Sequence, residues 1–320
     1  MAGLDARVQV FGRLLRLASV TRMSEERLAS AGGRGIGHNP VTDLLLGAVA
    51  RGVTVTDGTA AGQVGLRPVR TYRPTGVAGT LPLVVVFHGG GWVLGSLDQS
   101  DWLCSTVAVQ LGAVVVSVDY RLAPADRWPA AAEDCYAATV DLAARAGELG
   151  ADADRLAVMG DSAGGNLAAV VSLMARDRGG PAIAFQGLLY PATDLTMASA
   201  SIAENADAPI LTRADMLAFR AHYLGGADPV EPYASPLLAA DHSGLPPALV
   251  QVAEHDPLRD DGRRYAEVLR AAGVPVRLTE YVGMPHGYLS FPRLCRSAPQ
   301  AVAELVTELR TALAARPAAA

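Results

Sequence analysis

The chain contains no lysine, because all 27 of its basic residues are arginine. A GK[ST] phosphate loop, a Schiff-base lysine and an S-x-x-K acyl-enzyme motif each require a lysine side chain, so the sequence excludes all three. Basic charge is also outweighed by 32 acidic residues, which leaves a formal net charge of −5. Nucleic-acid-binding domains are typically basic, and we therefore expect no nucleic-acid partner.

The chain also has few cysteines and no long apolar run. The three cysteines show no C-x-x-C spacing, which favours reduced, buried thiols over a disulfide framework. No apolar run approaches the ~20 residues that a membrane span needs. Residues 1–20 resemble an amphipathic helix and lack the separate apolar region and small-residue cleavage site of a signal peptide. We expect a cytoplasmic protein without a membrane span.

Two patterns divide the chain. Residues 1–50 favour helices, with a Gly-rich break at 30–40, whereas from residue 51 onward apolar runs alternate with helix-length segments. The alternation predicts an α/β fold, with a mostly parallel central sheet of about eight strands and helices on both faces. VTVTDG and RPVRTYRP are expected to add antiparallel edge strands. The other predicted strands are 81–87, 113–118, 156–159, 185–190, 248–253 and 275–282, and the predicted helices are 100–111, 163–176, 260–272 and 299–315.

Residues 195–232 interrupt this alternation. They follow the predicted strand 185–190 and contain a capping box, from Thr212 to Asp215, before a run typical of a helix. Sites in open parallel sheets lie at the carboxyl ends of the strands. We expect this insertion and the helices of residues 1–50 to form a helical cap on the domain of residues 51–320.

A serine motif follows the strand RLAVM. Ser162 lies between Gly160 and Gly164 in G-x-S-x-G, with a predicted strand before it and a predicted helix after it. A nucleophilic serine on such a sharp turn needs small residues two positions away on either side. The alternative is an ordinary helix start capped by Asp161 or Ser162. The strand-to-helix context favours a catalytic serine.

A serine nucleophile needs a base and an acid that orients it, and after this kind of turn the acid precedes the base in the chain. Asp256 lies just past the predicted strand 248–253 and before a proline, and it is the predicted acid. Asp260 and Asp261 are expected to cap the next helix instead. Glu254 is the remaining carboxylate of this stretch.

The base must come late in the chain, where His255 and His286 are the candidates. His255 adjoins the predicted acid and would point the opposite way on an extended chain, which favours a packing or surface role. His286 follows the last predicted strand on a loop rich in glycine and proline. We predict that His286 is the base.

The stretch HGGGW at residues 88–92 follows a strand directly. Acyl transfer creates an oxyanion that is stabilised by preorganised N–H donors, and glycine backbone can approach a carbonyl oxygen closely. We predict that the backbone amides of Gly90, Gly91 and Ala163 are these donors. His88 is expected to brace the loop rather than to transfer protons.

Together, several motifs resemble the hormone-sensitive-lipase-like carboxylesterases of bacteria. The resemblance covers about residues 65–315 and is carried by HGGGW, DYRLAPADRWPAAAEDCYAA, GDSAGGNLA, YPATDL, DPLRDDG and MPHGY. It implies an α/β-hydrolase fold, the triad Ser162–Asp256–His286, a helical cap, and hydrolysis of short- to medium-chain esters. The family more often has Glu where this chain has Asp261.

The main alternative is a non-catalytic binding protein on the same scaffold; the receptors that resemble this family lack the base, so His286 favours an enzyme. An amidase would keep the same residues, and a true lipase would have a larger apolar lid. The fold alone does not decide between these activities.

Four aromatic residues are candidates for the substrate pocket, with core packing as the competing assignment: Trp92, Tyr190, Phe219 and Tyr223. No HExxH motif, Cys/His cluster or acidic metal loop occurs, so we expect no metal and no cofactor. The sequence leaves open whether the chain forms a homodimer.

Overall fold

The computed structural model describes residues 3–4, 6–15 and 19–314; residues 1–2, 5, 16–18 and 315–320 of the predicted domains lie outside them. The strands are β1 Val53–Ala61, β2 Leu66–Pro74, β3 Leu81–Phe87, β4 Val114–Val118, β5 Ala151–Asp161, β6 Phe185–Leu189, β7 Ala248–His255 and β8 Val276–Pro285. The helices are α1 Ala6–Leu15, α2 Glu25–Ala31, α3 Pro40–Leu46, α4 Asp101–Leu111, α5 Ala130–Ala144, α6 Ala163–Arg178, α7 Ser201–Glu204, α8 Arg213–Leu224, α9 Arg259–Ala271 and α10 Ala298–Ala312.

The eight strands form one sheet in the order β1-β2-β4-β3-β5-β6-β7-β8. Neighbours from β4 to β8 pair in parallel, whereas β2 pairs antiparallel with both β1 and β4. The predicted α/β architecture and the antiparallel strands at its first edge are confirmed.

Helices cover both faces of the sheet, because the central strands are apolar on both sides. In β3, Val85 points into the core shared with α5, α6 and α9, while Val84 and Val86 point into the core shared with α4 and α10. The prediction omitted α5, whose 15 residues include seven alanines. Small apolar residues occur on every side of α5. Its sequence therefore shows little of the division into an apolar and a polar face that marks a surface helix.

The parallel strands bring the predicted site residues to one edge of the sheet. β3 leads into the HGGGW loop, β5 into Ser162, β7 into Asp256 and β8 into His286. Because parallel strands end at the same edge, four segments that are distant in the chain meet there.

The insertion contains α7 and α8. The predicted capping box is confirmed: Asp215 N donates to Thr212 Oγ1 at 3.1 Å, and Thr212 N donates to Asp215 Oδ2 at 3.2 Å. Within the part of the chain that the structure describes, no helix is long and apolar enough to cross a membrane.

Candidate active site

Ser162 lies on a strained turn between β5 and α6. Its backbone has φ 56° and ψ −116°, a region that residues with a Cβ rarely occupy. A Cβ at Gly164 would lie 2.7 Å from the backbone oxygen of His88, and one at Gly160 would lie 2.7 Å from that of Phe87. Both glycines of the motif are therefore required by backbone packing against the end of β3.

Three predicted residues form a hydrogen-bonded chain at this turn. His286 Nε2 lies 2.9 Å from Ser162 Oγ, and His286 Nδ1 lies 2.8 Å from Asp256 Oδ2. Asp256 is fully buried, and its other oxygen accepts a hydrogen bond from Leu258 N at 2.8 Å. The carboxylate is thus fixed on both sides, which orients the imidazole towards the serine.

Asp260 and Asp261, which follow Asp256 in the chain, have other hydrogen-bond partners. Asp260 accepts a hydrogen bond from Ser201 N, and Asp261 accepts hydrogen bonds from the backbone N–H groups of Thr193 and Asp194. The expectation that they cap α9 is wrong, because the cap position is Leu258 and no side chain caps this helix. Both aspartates instead join α9 to the chain that follows β6. His255 Nε2 lies 3.8 Å from Glu254 Oε2.

The HGGGW loop makes a tight turn, in which Leu94 N donates to the carbonyl oxygen of Gly90 at 2.9 Å. Gly90 has φ 121° and Gly91 has φ 62°, conformations that favour glycine. Gly90, Gly91 and Ala163 all line the cavity that contains Ser162. The three residues whose amides are predicted to bind an oxyanion therefore line the same cavity as the serine.

His88 is fully buried beneath this loop. Its Nδ1 lies 2.8 Å from the carbonyl oxygen of Gly89, and its ring stacks on Tyr120 at 4.3 Å between centroids. Tyr120 Oη donates to the His88 carbonyl at 2.7 Å. Burial lowers the pKa of His88 to about 4. A neutral imidazole held by backbone and ring contacts braces the loop, as expected.

Asp161 is a residue of the site that the sequence analysis missed. It lines the cavity beside Ser162, and its Oδ1 accepts a hydrogen bond from Gly89 N at 2.8 Å. This contact ties the serine turn to the HGGGW loop. Burial raises the pKa of Asp161 to about 6. The sequence shows an aspartate next to the serine, but its partner lies 72 residues away.

The cavity above Ser162 has a volume of about 410 Å³. Its wall is mostly apolar, and of the four candidate pocket residues it includes Trp92 and Phe219. Phe219 comes from α8, and its ring lies so close to Gly91 that a Cβ there would overlap it. The N-terminal segment contributes Ile36 and Leu46. Both predicted cap segments thus reach the cavity.

The other two candidate pocket residues, Tyr190 and Tyr223, are fully buried and do not line this cavity. Tyr223 stacks behind Trp92, with ring centroids 4.4 Å apart and an interplanar angle of 5°. Tyr190 contacts the His286 ring edge-on at 5.0 Å. Both tyrosines support residues of the cavity from the core side, so their predicted position in the pocket is wrong.

Among the described residues, no group of three or more His, Cys, Asp or Glu side chains is arranged to hold a metal ion. The cavity instead contains a serine whose hydroxyl contacts an imidazole, beside a glycine-rich loop. This arrangement is typical of acyl transfer through a serine nucleophile.

Comparison with known proteins agrees with this chemistry. A family model described as alpha/beta hydrolase fold matches residues 84–290. Carboxylesterase NlhH of Mycobacterium tuberculosis is 49% identical over 250 residues, which cover 77% of this chain and 78% of that protein.

Solved structures of esterases match nearly the whole chain. A thermostable esterase from Pseudomonas putida is 37% identical with a TM-score of 0.88, and the match covers 99% of both chains. A hyperthermophilic esterase from Pyrobaculum calidifontis is 39% identical with a TM-score of 0.85, and the match covers 97% of this chain and 99% of that one. The chain belongs to the hormone-sensitive-lipase-like carboxylesterases of the α/β-hydrolase fold, and it is a carboxylic ester hydrolase.

Proposed function

We propose that this carboxylesterase hydrolyses short- to medium-chain esters through an acyl-enzyme intermediate on Ser162. His286 is the general base and Asp256 is the acid that orients it. The observation that carries the proposal is the continuous contact from Ser162 Oγ through the imidazole to the Asp256 carboxylate, at 2.9 Å and 2.8 Å. This is the geometry that activates a serine hydroxyl.

In the first half of the reaction, Ser162 Oγ attacks the ester carbonyl carbon and its proton moves to His286 Nε2. The bond between the carbonyl carbon and the alcohol oxygen then breaks, and the imidazolium donates its proton to the departing alkoxide. In the second half, His286 takes a proton from a water molecule that attacks the acyl-enzyme. The carboxylic acid leaves and Ser162 regains its proton.

The negative charge that develops on the carbonyl oxygen is stabilised, in this proposal, by the amides of Gly90, Gly91 and Ala163. The assignment is supported by the fact that all three residues line the cavity that contains Ser162. Preorganised amide donors are among the largest contributions to acyl-transfer catalysis.

The size and lining of the cavity support a small, apolar ester as substrate. A volume of about 410 Å³ is near the lower end of the range of small-molecule sites, roughly 300–1,000 Å³. We assign residues 1–50 and 195–232 to a helical cap, because Ile36 and Leu46 from the first segment and Met216 and Phe219 from the second line this cavity.

Covalent labelling tests the nucleophile. A p-nitrophenyl phosphonate should modify Ser162 at one site per chain, and mass spectrometry of the digested protein locates the adduct. Ser162→Ala should abolish labelling and lower kcat by about 10⁶. Ser290 also lines the cavity, and Ser290→Ala should still be labelled at Ser162. An active Ser162→Ala enzyme would overturn the proposal.

The substrate class is tested with a chain-length series. Rates for p-nitrophenyl esters should fall once the acyl chain exceeds the length that the cavity can hold. A rate that keeps rising up to long-chain esters would contradict the proposed preference for short and medium chains.

A further inference from the structure

The 32–47 segment lies between α2 and β1 and contains α3. It contributes Ile36 and Leu46 to the cavity above Ser162. None of the residues 29–46 is buried. Apolar burial therefore holds this segment only weakly against the rest of the protein. Parts of a fold with few buried apolar contacts open most readily, so the position of the segment depends on its polar contacts.

The side chain of His38 makes the closest polar contacts of this segment. Its Nδ1 lies 2.6 Å from Asp43 Oδ1 in α3, and its Nε2 lies 2.6 Å from Asp101 Oδ2 at the start of α4. The Asp101 side chain is 2% exposed, so this second contact joins the segment to the interior of the catalytic domain. Gly37 N adds a hydrogen bond to Asp98 Oδ2 at 3.0 Å.

Both ring nitrogens of His38 face carboxylate oxygens, and this determines the protonation state that the contacts need. An ionised carboxylate only accepts hydrogen bonds, and a neutral imidazole carries a single N–H. The two contacts can both be hydrogen bonds only when His38 is the imidazolium. Loss of its proton would leave one nitrogen lone pair facing a carboxylate.

The elements packed around His38 supply more negative than positive charge. The positive charge comes from Arg70, whose guanidinium contacts the carboxylates of Asp57, Asp98 and Asp101. Tyr72 Oη donates to Asp101. The ionisable groups are Asp43 from α3, Asp98 from the turn before α4, Asp101 from α4, Arg70 and Tyr72 from β2, and Asp57 from β1. The contacts with Asp101 and Asp43 raise the pKa of His38 above its ordinary value of 6.5.

We propose that His38 is a positioning residue of the active site: as an imidazolium between Asp43 and Asp101, it holds Ile36 and Leu46 against the ester-binding cavity and so sets the affinity for substrate. His38 does not itself line that cavity, but it shares a small crevice with Ile36 and Leu46. The inference rests on the proposed function, since it requires the ester to bind above Ser162.

The direction of the pH effect follows from this arrangement. The bridge formed by His38 is complete while the imidazole is protonated, and it is lost as the pH rises through the raised pKa of His38. Ile36 and Leu46 then contact the substrate less often. We expect KM to increase with pH. The value of kcat should change little, because the 32–47 segment takes no part in the chemical step at Ser162.

Three variants test the inference with p-nitrophenyl butyrate between about pH 6 and 9, with Ser162→Ala as the background. His38→Ala should raise KM about tenfold at the acidic end, because it removes two charge-assisted hydrogen bonds. His38→Arg should keep a low KM across the range, since a guanidinium stays charged. His242 lies outside both cap segments and does not line the cavity; its Nε2 lies 2.9 Å from the carbonyl oxygen of Pro236, and His242→Gln should follow the wild type at every pH.

Amide hydrogen exchange supplies a readout that is independent of activity. At one pH, His38→Ala should increase exchange in residues 33–47 and leave the central strands unchanged. Titration with diethyl p-nitrophenyl phosphate should still modify Ser162 fully in each His38 variant, which separates a displaced segment from a damaged nucleophile.

Unchanged KM and unchanged exchange in His38→Ala would overturn the role of His38 and leave the proposed function standing, whereas activity in Ser162→Ala would overturn the proposed function itself. If His38→Ala does not fold, the comparison of the wild type with His38→Arg decides: a KM that rises with pH equally in both refutes the inference. A rise in the wild type that is absent from His38→Arg supports it.

Discussion

Replacement of Asp161 by asparagine tests how the serine turn is joined to the HGGGW loop. Asp161 is 8% exposed, and its Oδ1 accepts the hydrogen bond from Gly89 N at 2.8 Å. An asparagine oxygen can accept the same hydrogen bond without carrying a charge. We therefore expect Asp161→Asn to retain the contact between the turn and the loop.

The energetic effect follows from the pKa of this carboxyl. Burial raises it to about 6, from an ordinary value of 3.8. A carboxyl with a higher pKa in the folded than in the unfolded protein lowers stability progressively as the pH rises between these two values. A difference of about 2 pKa units corresponds to about 3 kcal/mol. The variant should be more stable than the wild type by up to that amount at about pH 8 and by close to nothing at about pH 4.

Urea unfolding, followed by tryptophan fluorescence, measures this difference at each pH. Asp154→Asn is the control, because Asp154 is exposed and its replacement should have a small effect that varies little with pH. A stability difference between Asp161→Asn and the wild type that does not grow with pH would refute the argument from burial. Asp161→Ala, which removes the acceptor for Gly89 N, should lower kcat more than Asp161→Asn does.

The remaining predictions concern the triad, the turn and the cavity. Asp256→Asn should lower kcat by about 10⁴ in steady-state assays, because the amide neither orients the imidazole correctly nor stabilises its cation. Gly164→Ala should destabilise the protein by about 3 kcal/mol or more in urea unfolding, since its Cβ would meet the Phe87 backbone; Gly147→Ala, with open space around it, should be nearly neutral. Phe219→Ala should raise kcat/KM for esters with bulky alcohols relative to ethyl esters, because it opens the cavity beside the glycine loop.

The sequence predicted most of the fold because the central strands are continuous apolar runs. β3 and β4 are buried along almost their whole length, so their residues leave a clear pattern. Helix α5 left none, although nine of its 15 residues are buried. A helix made of small residues that pack on several sides resembles neither an amphipathic helix nor a strand, and its existence is decided by tertiary packing.

Two kinds of local signal led to the predicted site residues: a steric requirement at a turn, and a position just beyond a strand. Gly160, Ser162 and Gly164 lie within five consecutive positions because one sharp turn needs all three. The loop of consecutive glycines can be recognised for the same reason. Asp256 and His286 were predicted from their position just beyond strands. In the structure, the His286 ring lies within hydrogen-bond distance of both Asp256 and Ser162.

Residues whose roles depend on distant partners left no such pattern. Tyr190 and Tyr223 are aromatic residues near the site in sequence, but the direction of each ring is decided by what packs beside it, and both rings face the core. Asp161 and His38 are defined by contacts 72 and 63 residues away. The two groups differ in what the sequence displays: the residues of a local turn stand close together in the chain, whereas a long-range contact is visible only once the fold is known. For residues 1–50, the side chains that line the cavity, Ile36 and Leu46, are likewise determined by contacts with distant parts of the chain, so the sequence alone did not identify them.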